Sequence, residues 1–279
     1  MYAFRLVNVF AEDASLTGNP LAVFEDARGL DAETMQALAL QFNLSETTFL
    51  LPSSRASVQV RIFTPTFEMP FAGHPTLGSA HVARDTLGLG DDLRLEMHAG
   101  IIPVCAAGDV WTLTANVPRW HAPEASGAAL AAMLGLADHD LATGQTPLWV
   151  DTGSEQLVIP LANFDAVRRA KPVVAAMQAL ATRNGRTLAY VFAREGSRVL
   201  ARFFFSKHGA VVEDPGTGSA CANLGGWLVA TGAALPQSLV IEQGEAVGRR
   251  CRLGLEVGRD RAIRVSGRVV EIGRGTVSL

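Results

Sequence analysis

Two short stretches of this 279-residue chain are built alike: Ala72-Gly73-His74-Pro75-Thr76-Leu77-Gly78 and Asp214-Pro215-Gly216-Thr217-Gly218-Ser219-Ala220. Each follows a β-branched, aromatic run, Val58 to Thr64 and Val199 to Phe205. Each leads into a small-residue apolar segment that reads as helix, Ser79 to Leu87 and Cys221 to Ala230. A glycine turn that opens a helix leaves backbone N–H groups without intrahelical partners and aims the positive end of the helix dipole at its surroundings. Two such turns predict two half-domains that offer helix N-termini to one anionic ligand. Gly73 and Gly218 would serve both the turn and the close approach of that ligand to the backbone.

The side chains at these turns carry chemistry of their own. His74, at a helix N-terminus, is expected to be neutral because the dipole disfavours the imidazolium. A neutral ring donates one hydrogen bond and accepts another, which suits holding or protonating a polar substrate; the plain alternative is a locally bonded turn residue. Asp214 can accept a hydrogen bond from a substrate amine or hydroxyl, or orient His74, although Asp before Pro is also an ordinary turn initiator. Ser219 can grip a carboxylate with the N–H groups near Gly218, or simply tie down a helix N–H. His81, seven residues on and on a similar helical face, reads as packing or as a support behind the site residues. No His, Cys and carboxylate set has metal-ligand spacing, so no metal is expected.

The elements that must position these residues follow from β-branched clustering and apolar periodicity. Strands are expected at Ala3 to Phe10, Ala22 to Phe24, Thr47 to Leu51, Val58 to Thr64, Ile101 to Cys105 and Val110 to Ala115. Asp31 can cap a helix from Ala32 to Phe42, with Met35, Leu38, Ala39 and Phe42 as its apolar stripe. Pro118 and Pro123 break the pattern and place a boundary there, giving lobes 1–118 and 119–279, with the final strand, 265–279, free to rejoin the first lobe. The order then recurs. A helix from Gly127 to Leu134 precedes strands at Leu148 to Asp151 and Gln156 to Leu161; a helix from Pro172 to Arg183 precedes strands at Leu188 to Ala193 and Val199 to Phe205. Four strands are expected between Leu239 and Ser278. Aligning Gly73-His74 with Gly218-Ser219 keeps the helix starts together, though small-residue helices also look alike by composition alone.

Bulk composition narrows the function classes. With 48% hydrophobic and 18% charged residues the chain can bury a sizeable core and is not disordered. The net charge is −3, and the densest arginines (Arg249, Arg250, Arg252, Arg259, Arg261) are interspersed with acids, which argues against a nucleic-acid partner. No run approaches the ~20 apolar residues of a membrane span, and Met1 to Phe10 reads as a strand rather than a leader. Three widely spaced cysteines, Cys105, Cys221 and Cys251, do not form a disulfide framework and fit a reducing cytoplasm.

An ordered set of motifs resembles the phenazine-biosynthesis PhzF-like family, within the superfamily of diaminopimelate epimerase and proline racemase. It comprises Thr17-Gly18-Asn19-Pro20-Leu21-Ala22-Val23, Asn43-Leu44-Ser45-Glu46-Thr47-Thr48-Phe49, Arg61-Ile62-Phe63-Thr64-Pro65, Phe71 to Gly78, and Glu213-Asp214-Pro215 with Thr217-Gly218-Ser219-Ala220. The resemblance implies an α/β fold of two similar lobes, each a curled mixed sheet around a central helix, with the active site in the cleft between them. It also implies a cofactor-independent isomerase of a small carboxylic acid, working as a homodimer. Its catalytic glutamate maps to Glu46, and its substrate-holding residues map to His74, Asp214 and Ser219.

A proton shift between carbons needs a group that removes a proton and returns it elsewhere, and a carboxylate can do both. The ordinary glutamate pKa of ~4.3 must then rise through burial or a like charge. Thr47, Thr48, Phe49 and Leu50 directly after Glu46 favour burial, against the plain alternative of an exposed glutamate at a strand edge. The two-cysteine racemases of the superfamily place a thiol before each turn glycine. Here those positions are Ala72 and Thr217, which cannot abstract a proton at neutral pH. Cys221 lies about one helical turn further on and reads as packing. Three functions remain open: a single-base isomerase, a racemase or epimerase of an amino or hydroxy acid that sets His74 opposite Glu46, and a non-catalytic metabolite- or partner-binding protein.

Overall fold

Inward-facing Val, Leu, Ile and Phe alternate with polar residues along much of the chain, and the result is a strand-rich mixed α/β fold. The computed structural model describes residues 1–14, 16–207 and 209–279. It divides into two units, Met1–Thr114 with Ser266–Leu279, and Ala115–Val265.

The first unit contains β1 (Tyr2–Val9), β2 (Asn19–Phe24), α1 (Ala32–Phe42), β3 (Thr47–Leu51), β4 (Val58–Phe63), β5 (Glu68–Met69), α2 (Gly73–Leu87), β6 (Asp92–Met97), β7 (Gly100–Ala107) and β8 (Val110–Thr114). Strand β2 runs antiparallel to β1 and parallel to β3; β4 lies antiparallel to β3 and parallel to β6; β7 joins β6 and β8. The long last strand of the chain, Ile263–Val277, pairs with both β8 and β1 and closes the ring. Helix α2 fills that ring and packs on β1, β2, β3, β4, β6 and β8. A Cβ at Gly78 would come within 2.6 Å of Leu21 and 3.0 Å of Val9, so the glycine lets helix and sheet close on each other. Helix α1 covers the outside through Met35, Leu38 and Ala39, against Phe24, Phe49 and Phe63.

The second unit contains β9 (Arg119–His121), α3 (Gly127–Met133), β10 (Leu148–Asp151), β11 (Gln156–Pro160), α4 (Phe164–Arg169), α5 (Val174–Leu180), β12 (Thr182–Arg183), β13 (Arg186–Glu195), β14 (Arg198–Lys207), β15 (Ala210–Asp214), α6 (Gly218–Ala230), β16 (Gln237–Gln243), β17 (Cys251–Val257) and the start of β18 (Ile263–Val277). Here β11 is parallel to β13, β13 antiparallel to β14, and β14 parallel to β16. Helix α6 packs on β9, β10, β11 and β17, and a Cβ at Gly225 or Gly226 would meet Ile263 or Val150 at 2.7 Å. The series β4, β5, α2, β6 therefore has the same connectivity as β14, β15, α6, β16.

Several sequence expectations need correction. The two central helices begin at Gly73 and Gly218, so nearly all of the first apparent glycine turn, and the Gly218-Ser219-Ala220 end of the second, is already helical. The helix placed at Pro172 to Arg183 is the shorter α5; Pro172 lies before its N-cap, Val173. The tail holds three strands, β16 to β18, because Ile263–Val277 is one long strand shared by successive partners. Strands β6 and β15 and helix α4 are additions; β6 is an alternating Leu93, Leu95, Met97 pattern diluted by charges on its other face. Among the described residues no helix is long and apolar enough to cross a membrane.

Candidate functional site

Chain direction places Glu46. Asp31 caps α1 by accepting from the Thr34 N–H, and the helix stops at Asn43, which takes a left-handed conformation (φ 50°). Glu46 immediately precedes β3, whose first residue pairs with Ala22 of β2 and Phe63 of β4. Its side chain is 15% exposed, and Oε2 lies 3.4 Å from Nε2 of His74. Ser79 on α2 donates to Thr48 on β3 at 2.9 Å, which ties the helix carrying His74 to the strand that follows Glu46.

His74 is the second residue of α2 and is buried. Its Nδ1 lies 3.4 Å from Nδ2 of Asn19, the first residue of β2. Burial pushes the His74 pKa down from 6.5 to about 3, and a hydrogen bond to the Pro20 backbone opposes this only in part. The ring is therefore neutral near pH 7, as expected, but the main cause is loss of solvent rather than the helix dipole. It puts no positive charge beside the Glu46 carboxyl.

The second group of site residues surrounds the start of α6. Strand β15 is held on β14 by paired backbone and by the partly buried Arg202–Glu213 ion pair at 2.6 Å, and it ends at Asp214. Thr217 is the N-cap residue of α6, yet its side chain makes no capping bond. Its hydroxyl donates to Asp214 Oδ2 instead. Gln243 at the end of β16 enforces that choice. Its Oε1 accepts from the Thr217 N–H at 3.4 Å, while Nε2 donates to the Asp214 carbonyl at 2.8 Å and to Thr217 Oγ1 at 3.1 Å. Gly244 follows with φ +82°, and a Cβ there would stand 2.2 Å from the Arg249 carbonyl and 2.6 Å from that of Pro215. Ser219, the second residue of α6, accepts a 2.9 Å hydrogen bond from Gln156 of β11.

Thus Glu46 and His74 meet within the first unit, and Asp214 and Ser219 flank the same helix start within the second. Gly73 and Gly218 are the first helical residues of α2 and α6. Ala72 and Thr217 occupy the N-cap positions with extended backbone and no thiol. Cys221 is fully buried, and burial pushes its thiol pKa up, so it packs rather than reacts. Asn19, Gln156, Asn223 and Gln243 escape sequence reasoning. Their partners lie up to 71 positions away, and of the four only Asn19 sits inside a recognisable motif. A concavity of about 800 Å³, lined by residues including Trp120, Phe192, Arg194 and Trp227, lies toward the far end of α6 and includes none of the expected site residues.

The chain is 39% identical over 287 residues to an uncharacterized isomerase of Pasteurella multocida, covering 98% of this chain and 93% of the relative. It is 34% identical to trans-2,3-dihydro-3-hydroxyanthranilate isomerase of Pseudomonas fluorescens over the whole of both chains. The crystal structure of a Bacillus anthracis phenazine biosynthesis protein of the PhzF family superposes with a TM-score of 0.89 at 24% identity, covering 100% of this chain and 99% of the other. The family model PhzC-PhzF, phenazine biosynthesis-like protein, matches residues 7–275, and the chain belongs to that family.

Proposed function

We propose that this chain, an isomerase by the company of its relatives, moves a proton within a small unsaturated or amino-bearing carboxylic acid, with Glu46 as the single acid and base. The observation that carries this reading is the Glu46–His74 pair: a largely buried carboxyl 3.4 Å from a buried ring that stays uncharged near neutral pH. A cationic histidine would hold the carboxyl as a fixed ion pair. A neutral one leaves it able to take up and release a proton while still offering hydrogen bonds to the substrate. Asp214 accepts a hydrogen bond from the substrate's amine or hydroxyl, and Ser219 with the first N–H groups of α6 holds its carboxylate. The reaction needs no cofactor, because one carboxyl group both accepts and returns the proton.

The test incubates the protein with trans-2,3-dihydro-3-hydroxyanthranilate in D₂O and follows bond positions and deuterium by NMR. A moved double bond with deuterium at a new carbon supports the reading. Inversion at one carbon without a double-bond shift favours racemisation, and binding without turnover favours a metabolite-binding protein. The proposed assembly is a homodimer, the state that the family resemblance implies.

A further inference from the structure

Hydrogen-bond donors and acceptors around Ser219 can be assigned by chemistry alone, starting from a group with one fixed role. The backbone N–H of Thr152 can only donate, and it reaches Asn223 Oδ1 at 2.9 Å; the Thr152 hydroxyl reaches the same oxygen at 2.7 Å. The amide of Asn223 therefore points its oxygen at Thr152. Its Nδ2 then donates to the Ser154 carbonyl, which can only accept, at 2.8 Å, and to Gln156 Oε1 at 2.9 Å. That fixes Gln156 in turn: Nε2 faces Ser219 and donates to its Oγ at 2.9 Å. Flipping Asn223 would set donor against donor at the Thr152 N–H and acceptor against acceptor at the Ser154 carbonyl. Flipping Gln156 would set its amide N–H groups against those of Asn223.

Asn223, Gln156 and Thr152 are 0%, 1% and 6% exposed, so water does not compete for these bonds and an unsatisfied partner would be costly. Asn223 also sits one turn beyond Ser219 on the same helix, so the amide that orients Gln156 and the hydroxyl that Gln156 acts on are carried by one rigid element.

We propose that Gln156 and Asn223 are positioning residues that commit the Ser219 hydroxyl to donate its proton to the ligand, making this point of the site selective for a bare acceptor such as a carboxylate over a carboxamide. The inference rests on the reading of Ser219 as a ligand-holding residue. With Gln156 donating to Oγ, the hydroxyl proton is left to point away from the relay. A carboxylate there takes a charge-assisted bond, whereas a carboxamide offers a weaker oxygen or a clashing N–H.

The substitution Gln156→Glu reverses the relay. The introduced carboxylate would accept both from Asn223 Nδ2 and from the Ser219 hydroxyl, which would then present only lone pairs to a ligand. The probes are 3-hydroxyanthranilate, a stable aromatic analogue of the relative's substrate, and its carboxamide, with Kd measured by calorimetry. The parent protein is expected to prefer the carboxylate. Gln156→Glu should weaken carboxylate binding about tenfold and bring the carboxylate-to-carboxamide ratio close to one, with the carboxamide little affected. Gln156→Met, which frees the hydroxyl to rotate without adding charge, should fall between the two. Thermal unfolding of both variants checks that they fold, and the selectivity ratio is a quantity that general destabilisation does not move. If Ser219→Ala weakens the carboxylate while both Gln156 variants keep the parent ratio, the relay proposal is overturned and the site reading stands. If Ser219→Ala changes nothing, or the parent binds neither probe, the site reading itself falls and takes the relay with it.

Discussion

Among single residues, the one that sets the character of the site is a histidine kept uncharged by burial. His74 lies between Asn19 and Glu46 with almost no solvent contact, and its pKa drops to about 3. An unfolded histidine titrates near 6.5, so between those two values the unfolded chain binds a proton that the folded chain does not. Stability must therefore fall as pH drops through that window, at up to about 1.4 kcal/mol per pH unit from this residue. Chemical denaturation at a series of pH values should show a shallower slope in His74→Asn than in the parent protein. Equal slopes would mean that His74 is not desolvated. Residue roles are only partly legible in the sequence. The Gly-His-Pro-Thr turn draws attention to His74 because of its spacing, and the neutral state follows from position; the dominance of burial over the dipole needs the closed ring of strands around α2. Gln156 and Gln243 are ordinary glutamines with no local signature, and their meaning arises only when distant strands meet the start of α6.

Among the helices and strands, two devices hold the site in place. The first is Arg202 on β14. Its guanidinium bonds Glu213 on β15 and also reaches the carbonyls of Val167, Arg168 and Ala170 at the end of α4, adding donors where the helix's own N–H groups run out. Arg202→Met would leave the partly buried Glu213 carboxylate without that cation, at a cost of about 1–3 kcal/mol, measured by urea unfolding. The same variant should loosen β15 and with it Asp214. The second device is helix–sheet closeness at glycine. Gly78→Ala adds a methyl where Leu21, Val9 and Val7 already stand within 3.2 Å. Overpacking of about 1–3 kcal/mol should exceed the ~1 kcal/mol gained from helix propensity, so the melting temperature should fall. Elements with a clear stripe or a β-branched run, such as α1 and β3, can be read directly from the sequence. The first turns of α2 and α6 cannot. Gly, His, Pro and Thr there mimic a loop, and tertiary packing makes them helical.

At the scale of the whole molecule, the protein builds one connectivity twice: a strand, a short antiparallel return, a buried helix, and a strand parallel to the first. The sequence announces this repeat through the recurring order of its elements and its two glycine motifs, while the halves share little literal identity. A homodimer should give a light-scattering mass twice the 29.6 kDa of the chain; a monomer mass would remove the proposed assembly without touching the chemistry. The proposed chemistry depends on a single carboxyl group, in keeping with Ala72 and Thr217 at the positions where two-thiol racemases carry cysteine. The decisive measurement compares Glu46→Gln with the parent protein for binding and for solvent-deuterium incorporation into the substrate. Single-base chemistry at Glu46 predicts that the variant binds with similar affinity and incorporates no deuterium, and incorporation at the parent rate would contradict it.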